Sequence, residues 1–413
     1  MSALRRGASA AKAFHEAYRQ KDFGAAEALG RDLLARAPGE RRIRSRLANV
    51  LERTGRADEA HAVIAAGFDA GLSSAIDAAV TAVHADLGMP LERANAWRFI
   101  PRGASAVCSI MHAHATPAGL PLFTKVVNPT TRSAARERDF YTRLTRSSGE
   151  LAALAPRFVD YRRVPGSPYA MLTVEAIAGR RPGISDVRAV RETWLRVARG
   201  SEELAQHGVH LERSRLRDGA RRLAARLLAR PPLWPETAAW LHTRRGSSDL
   251  FAALDGTLRR GRASRRLVGA AAQLRSFWFT NALHRKISPD DHYTFVHGDF
   301  HEANLIVEEG TGRCRVIDWE SASWGPTSLD FSRFAAGLQG FEFHHFGRER
   351  LLPAQVDESA PPACRGPIAP LLLVIMATAR WLSQHEPKHV ESRFDTTIKP
   401  ALDWLLGEGL SVR

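Results

Sequence analysis

The sequence predicts an α+β protein of two lobes, preceded by an all-α segment of helical repeats. The first ninety residues are helical in pattern and contain a 34-residue repeat. Short strand-like runs with one helix follow to about residue 180, and mainly helical segments continue from there. Strands gathered in one half and helices in the other are typical of an α+β fold. We therefore expect boundaries at 1–90, 91–180 and 181–413.

The repeat in the first segment is carried by two aligned blocks. DFGAAEAL (Asp22 to Leu29) matches RADEAHAV (Arg56 to Val63) at an offset of 34 residues, and Ala26 maps to Ala60. This spacing is similar to that of tetratricopeptide repeats, in which small residues let paired helices approach closely. Only about two units are visible, fewer than such arrays need to stand alone, so we expect this segment to pack on its neighbour. It serves either as a partner-binding module or as a helical cap on the main domain.

The composition is that of a soluble globular protein, with 44% hydrophobic and 25% charged residues. Cys108, Cys314 and Cys364 stand far apart, which argues against a disulfide framework and predicts a reducing, cytoplasmic compartment. The N-terminus lacks the apolar region of a secretory signal. The longest apolar run, Ile368 to Leu382, is too short to predict a membrane span.

The net charge of +15 comes almost entirely from arginine. These arginines are scattered through amphipathic segments rather than gathered in a tail, which favours a solvated basic surface. We therefore expect no nucleic-acid partner. The arginine surplus also favours a neutral or anionic substrate over a cationic one.

A hairpin late in the chain brings together residues suited to metal chemistry. In HGDFHEANLIV, Asp299 lies in a glycine-containing turn and Asn304 follows five residues later, while Asp318 ends the second strand in RVIDWE. If LIVEE and CRVID pair symmetrically about Thr311, across the turn GTGR, Asn304 faces Asp318. An amide oxygen beside a carboxylate suits Mg²⁺. Asp299 would then orient a substrate hydroxyl or accept its proton.

These motifs, with VIDWESASWGPTSLDFSRF, resemble the aminoglycoside phosphotransferase and choline kinase-like family, whose fold is related to protein kinases. The resemblance covers Trp97 to the C-terminus and is strongest from His297 to Phe334. It implies a two-lobed protein-kinase-like fold that uses ATP and Mg²⁺. It also assigns roles within the hairpin: Asp299 is the catalytic aspartate, Asn304 and Asp318 hold the metal, and His297 and Asp330 support the catalytic loop.

The nucleotide phosphates require a cation, for which Lys125 in LFTKVVN is the candidate. It is the only lysine between Lys21 and Lys286 in a chain dominated by arginine. A lysine on a strand suits the α- and β-phosphates, and a helix glutamate holds it in kinases. Glu137, before Phe-Tyr on the next predicted helix, matches that glutamate. An exposed lysine and an exposed glutamate are the simpler interpretation of each residue alone.

The remaining nucleotide contacts are implied by the resemblance. Gly103 and Ser105, between two predicted strands, would cover the phosphates with backbone N–H groups. The backbone from Glu175 to Ile177, in LTVEAIAGRRP, would contact adenine where the chain passes into the second lobe.

Two functions from different classes follow. The first is an ATP- and Mg²⁺-dependent phosphotransferase that moves the γ-phosphate to a hydroxyl of a small molecule, such as an aminoglycoside, choline or a sugar. The second is a catalytically inactive kinase-fold scaffold that binds a protein partner through its helical repeats. The joint presence of Lys125, Asp299, Asn304 and Asp318 favours the enzyme. A protein-serine kinase is disfavoured because the full glycine-rich loop, D-F-G and A-P-E signatures are missing.

Overall fold

The computed structural model describes residues 2–68, 70–88, 97–100, 106–112, 121–206, 241–260, 263–337, 364, 399–400 and 403. The chain divides into two compact units. The first comprises Met1–Arg138 with Arg157–Ile177, and the second comprises Asp139–Pro156 with Ala178–Arg413. The repeat segment and one sheet belong to the first unit, and the hairpin of the candidate site belongs to the second.

The first unit begins with five helices, of which the first four pack in succession. Their bounds are α1 Ser2–Gln20, α2 Phe23–Arg36, α3 Arg41–Arg53, α4 Ala57–Ala65 and α5 Ala70–Asp86. The side chain of Asp22 accepts the backbone N–H of Ala25 and thereby caps α2. The second helix begins at Phe23 in the first repeat and at Ala57 in the second. These starts are 34 residues apart, which confirms the predicted period. Ala26 and Ala60 are both buried, as close helix packing requires.

A five-stranded antiparallel sheet completes the first unit. The strands are β1 Trp97–Ile100, β2 Cys108–His112, β3 Leu122–Val127, β4 Phe158–Arg163 and β5 Ala170–Glu175, in the spatial order β1-β2-β3-β5-β4. Thr124 of β3 lies opposite Ile110 of β2 and Thr173 of β5. Helix α6 (Arg132–Asp139) follows β3. The predicted strands and the strand-to-helix order of this part are therefore confirmed.

The helical segment and the sheet share one hydrophobic core. Its buried helical members include Leu51, Ile76 and Val80, and its buried strand members include Ile110 and Val126. The segment therefore covers one face of the sheet, which confirms the expected packing on its neighbour. Side chains alternate along a strand, so the two faces of β3 serve different purposes.

A buried chain of polar groups runs through this shared core. His84 of α5 and His112 of β2 are 2.7 Å apart through Nε2 and Nδ1, and His112 Nε2 lies 2.7 Å from Thr124 Oγ1. Thr124 Oγ1 in turn lies 2.8 Å from Thr173 Oγ1. Burial, with the charge of His84, lowers the pKa of His112 to about 3, so this imidazole is neutral near pH 7.

The second unit is mainly helical. It begins with a π-helical turn, Phe140–Leu144, which follows α6 directly in the chain. The described helices are α7 Thr145–Ser147, α8 Gly149–Leu154, α9 Val187–Gln206, α10 Arg244–Arg260, α11 Arg265–Thr280, α12 Leu283–Lys286, α13 Pro289–His292 and α14 Ser328–Gly337. The strands are β6 Gly179–Arg180, β7 Tyr293–Val296, β8 Leu305–Glu308, β9 Cys314–Val316 and β10 Ser323–Pro326. They form the sheets β6-β8-β9 and β10-β7.

Helix α9 ties the strands of the second unit together. Thr193 Oγ1 donates to the carbonyl of Cys314 in β9 at 3.2 Å, and Ser201 Oγ accepts the N–H of Phe295 in β7 at 2.8 Å. Trp194 is buried, and its Nε1–H donates to the carbonyl of Thr327 just before α14. One buried helix thus fixes the strands and the helix that surround the candidate site.

The predicted hairpin register is wrong by one residue. Leu305 pairs with Val316 rather than with Ile317, and Asn304 accepts the N–H of Ile317 through its backbone carbonyl. The reason is that the turn contains Glu309 and not Arg313: the N–H of Glu308 donates to the carbonyl of Arg313 at 2.8 Å, so the turn is formed by residues 309–312. Gly310 and Gly312 both have positive φ angles in this turn. Asp318 therefore lies one residue beyond the pairing partner of Asn304.

Among the described helices, none has the length and apolar character needed to cross a membrane. The apolar run at 368–382 lies outside the described residues.

Candidate active site

Lys125 and Glu137 form an ion pair within the first unit. Lys125 Nζ lies 2.7 Å from Glu137 Oε1, and the two side chains are only 15% and 3% exposed. Lys125 is on the face of β3 opposite Thr124, and Glu137 comes from α6. The pair is therefore shielded from solvent, unlike the exposed residues of the simpler interpretation.

The segment predicted to contact adenine follows β5 in the same unit. Glu175 and Ala176 use their N–H groups in bonds to the carbonyls of Arg157 and Pro121. Within the described residues, the backbone of Ile177 makes no such bond. Its N–H and carbonyl are therefore open to a ligand. Gly103 and Ser105 lie outside the described residues.

The loop from His297 to Asn304 in the second unit is held by Asp330, two residues into α14. Asp330 Oδ2 accepts the N–H of His297 at 2.6 Å, and its Oδ1 accepts the N–H of Gly298 at 2.8 Å. The carboxyl is 1% exposed. Burial raises the pKa of Asp330 to about 7 although both N–H groups and Arg333 act in the opposite direction.

His297 links the loop to the strand that leads to Asp318. Its Nε2 lies 3.0 Å from the carbonyl of Ile317, and its Nδ1 accepts the N–H of Asp299 at 3.2 Å. Nε2 must therefore carry the proton. Burial lowers the pKa of His297 to about 4, against the opposing charges of Asp299 and Asp318. A neutral imidazole braced in this way orients the loop and does not exchange protons near pH 7.

Asn304 is buried at the start of β8. Its Nδ2 donates to the backbone carbonyl of Asp299 at 3.0 Å. The amide oxygen Oδ1 has no hydrogen-bond partner among the described residues. A buried side chain is thus fixed by its nitrogen, with its hard oxygen left for a cation.

Asp318 has a left-handed backbone, with φ 68° and ψ 59°. Among the described non-glycine residues, this conformation is shared only by Lys21 and Ala282. Aspartate tolerates it better than most residues, and such backbone conformations cluster at functional sites. The next residue, Trp319, is fully buried and stacks on Phe140 at 3.9 Å between ring centroids. The aromatic anchor fixes the chain immediately after the carboxylate.

Asp299 is contacted by two residues that the sequence-based prediction missed. Arg333 forms an ion pair with Asp299 Oδ1, and His301 Nε2 lies 3.4 Å from the same oxygen. Burial alone would raise the pKa of Asp299, but the contact with His301 and the charge of Arg333 outweigh it and lower that pKa. The signal for Arg333 was present in SLDFSRF, because residues three apart on a helix share a face.

Comparisons with known proteins identify the family of this chain. Residues 97–365 match the family model described as "Phosphotransferase enzyme family", and residues 17–83 match that described as "Tetratricopeptide repeat". Because the first match spans more than half of the chain, this protein belongs to the phosphotransferase enzyme family. The predicted family, fold class and enzyme class are thereby confirmed. No curated protein matches the sequence.

Solved structures with similar folds include three kinases. An amicoumacin kinase in complex with AMP-PNP and Ca²⁺ is 12% identical, with a TM-score of 0.44 over 75% of this chain and 89% of that one. A choline kinase from Cryptosporidium parvum is 14% identical, with a TM-score of 0.44 over 76% and 90%. An aminoglycoside phosphotransferase from Streptomyces rimosus, in complex with ADP and streptomycin, is 18% identical, with a TM-score of 0.39 over 74% and 98%. Because these scores lie below 0.5, the family assignment rests on the sequence match alone.

Proposed function

We propose that this protein transfers the γ-phosphate of ATP to a hydroxyl group of a small molecule, with Mg²⁺ as cofactor. The observation that carries the proposal is the loop from His297 to Asn304. Two backbone N–H groups of this loop are held by the buried Asp330, and Asn304 is held by the carbonyl of Asp299. Such a rigid loop suits a reaction in which catalysis consists mostly of positioning and charge stabilisation.

In this proposal, Lys125 contacts the α- and β-phosphates of ATP. Glu137 fixes the ammonium group, as their 2.7 Å ion pair supports. The backbone of Ile177 contacts adenine through its N–H and carbonyl, with the neighbouring Glu175 anchored in the sheet. Gly103 and Ser105 remain proposed phosphate contacts on the basis of the sequence.

Asn304 and Asp318 would hold Mg²⁺. The amide oxygen of Asn304 and the carboxylate of Asp318 form the hard-oxygen donor set that this cation prefers, with phosphate oxygens and water completing it. Bound there, Mg²⁺ would neutralise charge on the transferring phosphate.

Asp299 orients the acceptor hydroxyl. The acceptor oxygen bonds to the γ-phosphorus as the bond from that phosphorus to the β–γ bridging oxygen breaks, and ADP leaves with the electron pair. The hydroxyl proton passes to the carboxylate of Asp299. His297 and Asp330 support the loop without taking part in this proton transfer.

The tetratricopeptide-like segment is proposed to cap the nucleotide-binding unit, because its helices share a core with the sheet that carries Lys125. A protein partner on the remaining surface of the segment is compatible with this role. Cys108, Cys314 and Cys364 are all buried free thiols, which supports the cytoplasm as the compartment.

The first test is thermal unfolding with and without ATP and Mg²⁺. A ligand that binds only the folded chain stabilises it by about 2.7 kcal/mol at 100 times its Kd. We expect the wild type to gain a Mg²⁺-dependent rise in Tm that Asp318→Ala loses. Asp291→Ala, which removes an exposed aspartate of the same unit, should keep the rise.

A Mg²⁺-dependent rise would justify a search for the acceptor among hydroxyl compounds by measuring ADP release. If the wild type shows no rise at saturating ATP, the nucleotide site does not exist and the scaffold function replaces the enzyme. An equal rise in Asp318→Ala would remove that residue from the metal site.

A further inference from the structure

Helix α14 turns one face toward the catalytic loop. Asp330 and Arg333 are three residues apart and therefore lie on the same side of the helix. Asp330 accepts the N–H groups of His297 and Gly298. Arg333 Nη1 lies 3.5 Å from the carbonyl of Gly298, and its Nη2 pairs with the carboxylate of Asp299. One helical face thus contacts three consecutive loop residues.

The closest approaches to Asp299 are both to its oxygen Oδ1. Arg333 Nη2 and His301 Nε2 both approach Oδ1, which is fully buried, through charge contacts rather than well-aligned hydrogen bonds. Among the described residues, no side chain or backbone group makes a hydrogen bond to Oδ2. The carboxylate therefore has one oxygen occupied by the protein and one left over.

We propose that Arg333 is a positioning residue that holds Asp299 Oδ1 so that Oδ2 is presented to the acceptor hydroxyl. This inference rests on the proposed function. The last torsion of an aspartate side chain is broad, so a carboxylate without a partner can turn away from a reactive geometry. A guanidinium is planar, always charged and rigid, and it fixes that torsion better than an ammonium can.

Partial burial strengthens the ion pair between Arg333 and Asp299. The side chains of Arg333 and Asp299 are 18% and 25% exposed, so solvent and salt screen the pair less than they screen a surface pair. Arg333 also follows Asp330 on a helix that already fixes the loop backbone. The same element therefore sets both the position of Asp299 and the orientation of its carboxylate.

The test measures hydrolysis of ATP with Mg²⁺, with water as the acceptor, in the full chain. We expect Arg333→Ala to lower kcat by about 100-fold, the effect of misplacing a reacting group. KM for ATP should not change, because Arg333 contacts Asp299 rather than the proposed nucleotide residues. Added guanidinium ions should restore part of the kcat of Arg333→Ala. The kcat of Arg333→Lys should lie between those of the wild type and Arg333→Ala, because lysine keeps the charge and loses the planar guanidinium.

Arg275→Ala is the matched control, since Arg275 pairs with Asp255 in the same unit and is 53% exposed. Its kcat should equal that of the wild type. A wild-type kcat in Arg333→Ala, or a loss that guanidinium does not restore, would overturn the inference while leaving the proposed function intact. If Arg333→Ala does not fold, an unchanged kcat in Arg333→Lys would overturn it. A wild-type chain that neither binds nor hydrolyses ATP would overturn both.

Discussion

The imidazole of His297 can brace the loop only in its neutral form. Its Nδ1 accepts the N–H of Asp299, so a second proton on the ring would break that bond. Full burial enforces the neutral state by lowering the pKa to about 4. The sequence predicted that this histidine orients the loop, whereas the tautomer depends on neighbours that only the fold supplies.

Asp330 makes the stability of the protein depend on pH. Because its folded pKa of about 7 lies above the ordinary aspartate value, the folded chain holds a proton that the unfolded chain releases. The contribution of Asp330 to the free energy of unfolding should therefore fall as pH rises from about 4 to about 7. Urea unfolding of the wild type and of Asp330→Asn at several pH values measures it.

We expect Asp330→Asn to be less stable by about 1–3 kcal/mol, because its amide cannot accept both N–H groups. The difference from the wild type should shrink as pH rises through this window. The control is Asp291→Asn, which changes an exposed aspartate and should follow the wild type. Parallel pH curves for Asp330→Asn and the wild type would contradict the raised pKa.

At the scale of secondary structure, the sequence pattern of the hairpin predicts its strands but not their register. The apolar runs in LIVEE and CRVID predicted both strands, and β8 and β9 confirm them. The register depended on whether Glu309 lies in the strand or in the turn. Gly310 and Gly312 have positive φ angles that allow the turn to include Glu309. The apolar patterns of the strands do not decide whether Glu309 lies in the strand or in the turn.

Strand β6 depends on Gly179. A Cβ at this position would lie 2.3 Å from the carbonyl oxygen of Val307 in β8. Gly179→Ala should therefore force β6 away from β8 and lower the free energy of unfolding by about 1–3 kcal/mol. Gly269→Ala in α11 is the control, because a Cβ there meets no atom within 4 Å.

Alanine should stabilise the helix at Gly269 by about 0.4–1 kcal/mol. Chemical denaturation of both variants gives the comparison. Equal stability of Gly179→Ala and the wild type would mean that β6 does not approach β8 this closely.

At the scale of the whole molecule, the repeat segment and the five-stranded sheet form one compact unit. Leu51, Ile76 and Val80 lie in the same core as Ile110 and Val126 of the sheet. The buried polar chain from His84 to Thr173 crosses the same boundary. Such a core links the stability of the helices to that of the strand that carries Lys125.

Disrupting the helical segment should therefore unfold the sheet. Val80→Asp places an unpaired charge in the shared core and should cost roughly 3–5 kcal/mol. Hydrogen exchange followed by mass spectrometry should show that β3 and β5 lose protection together with α5. Thr81→Asp, on the exposed side of the same helix, should leave all three protected. Continued protection of β3 and β5 in Val80→Asp would instead show that the segment is an independent module.

The sequence alone determined the fold class, the 34-residue repeat and the phosphotransferase family. Each of these depends on local periodicity or on residues close together in the chain, such as Asp299 and Asn304. Only the tertiary structure decided the hairpin register, the burial of the Lys125–Glu137 pair and the contact of Arg333 with one oxygen of Asp299. These features depend on turn geometry and on packing between elements distant in sequence, and such geometry is fixed only when the chain closes around its core.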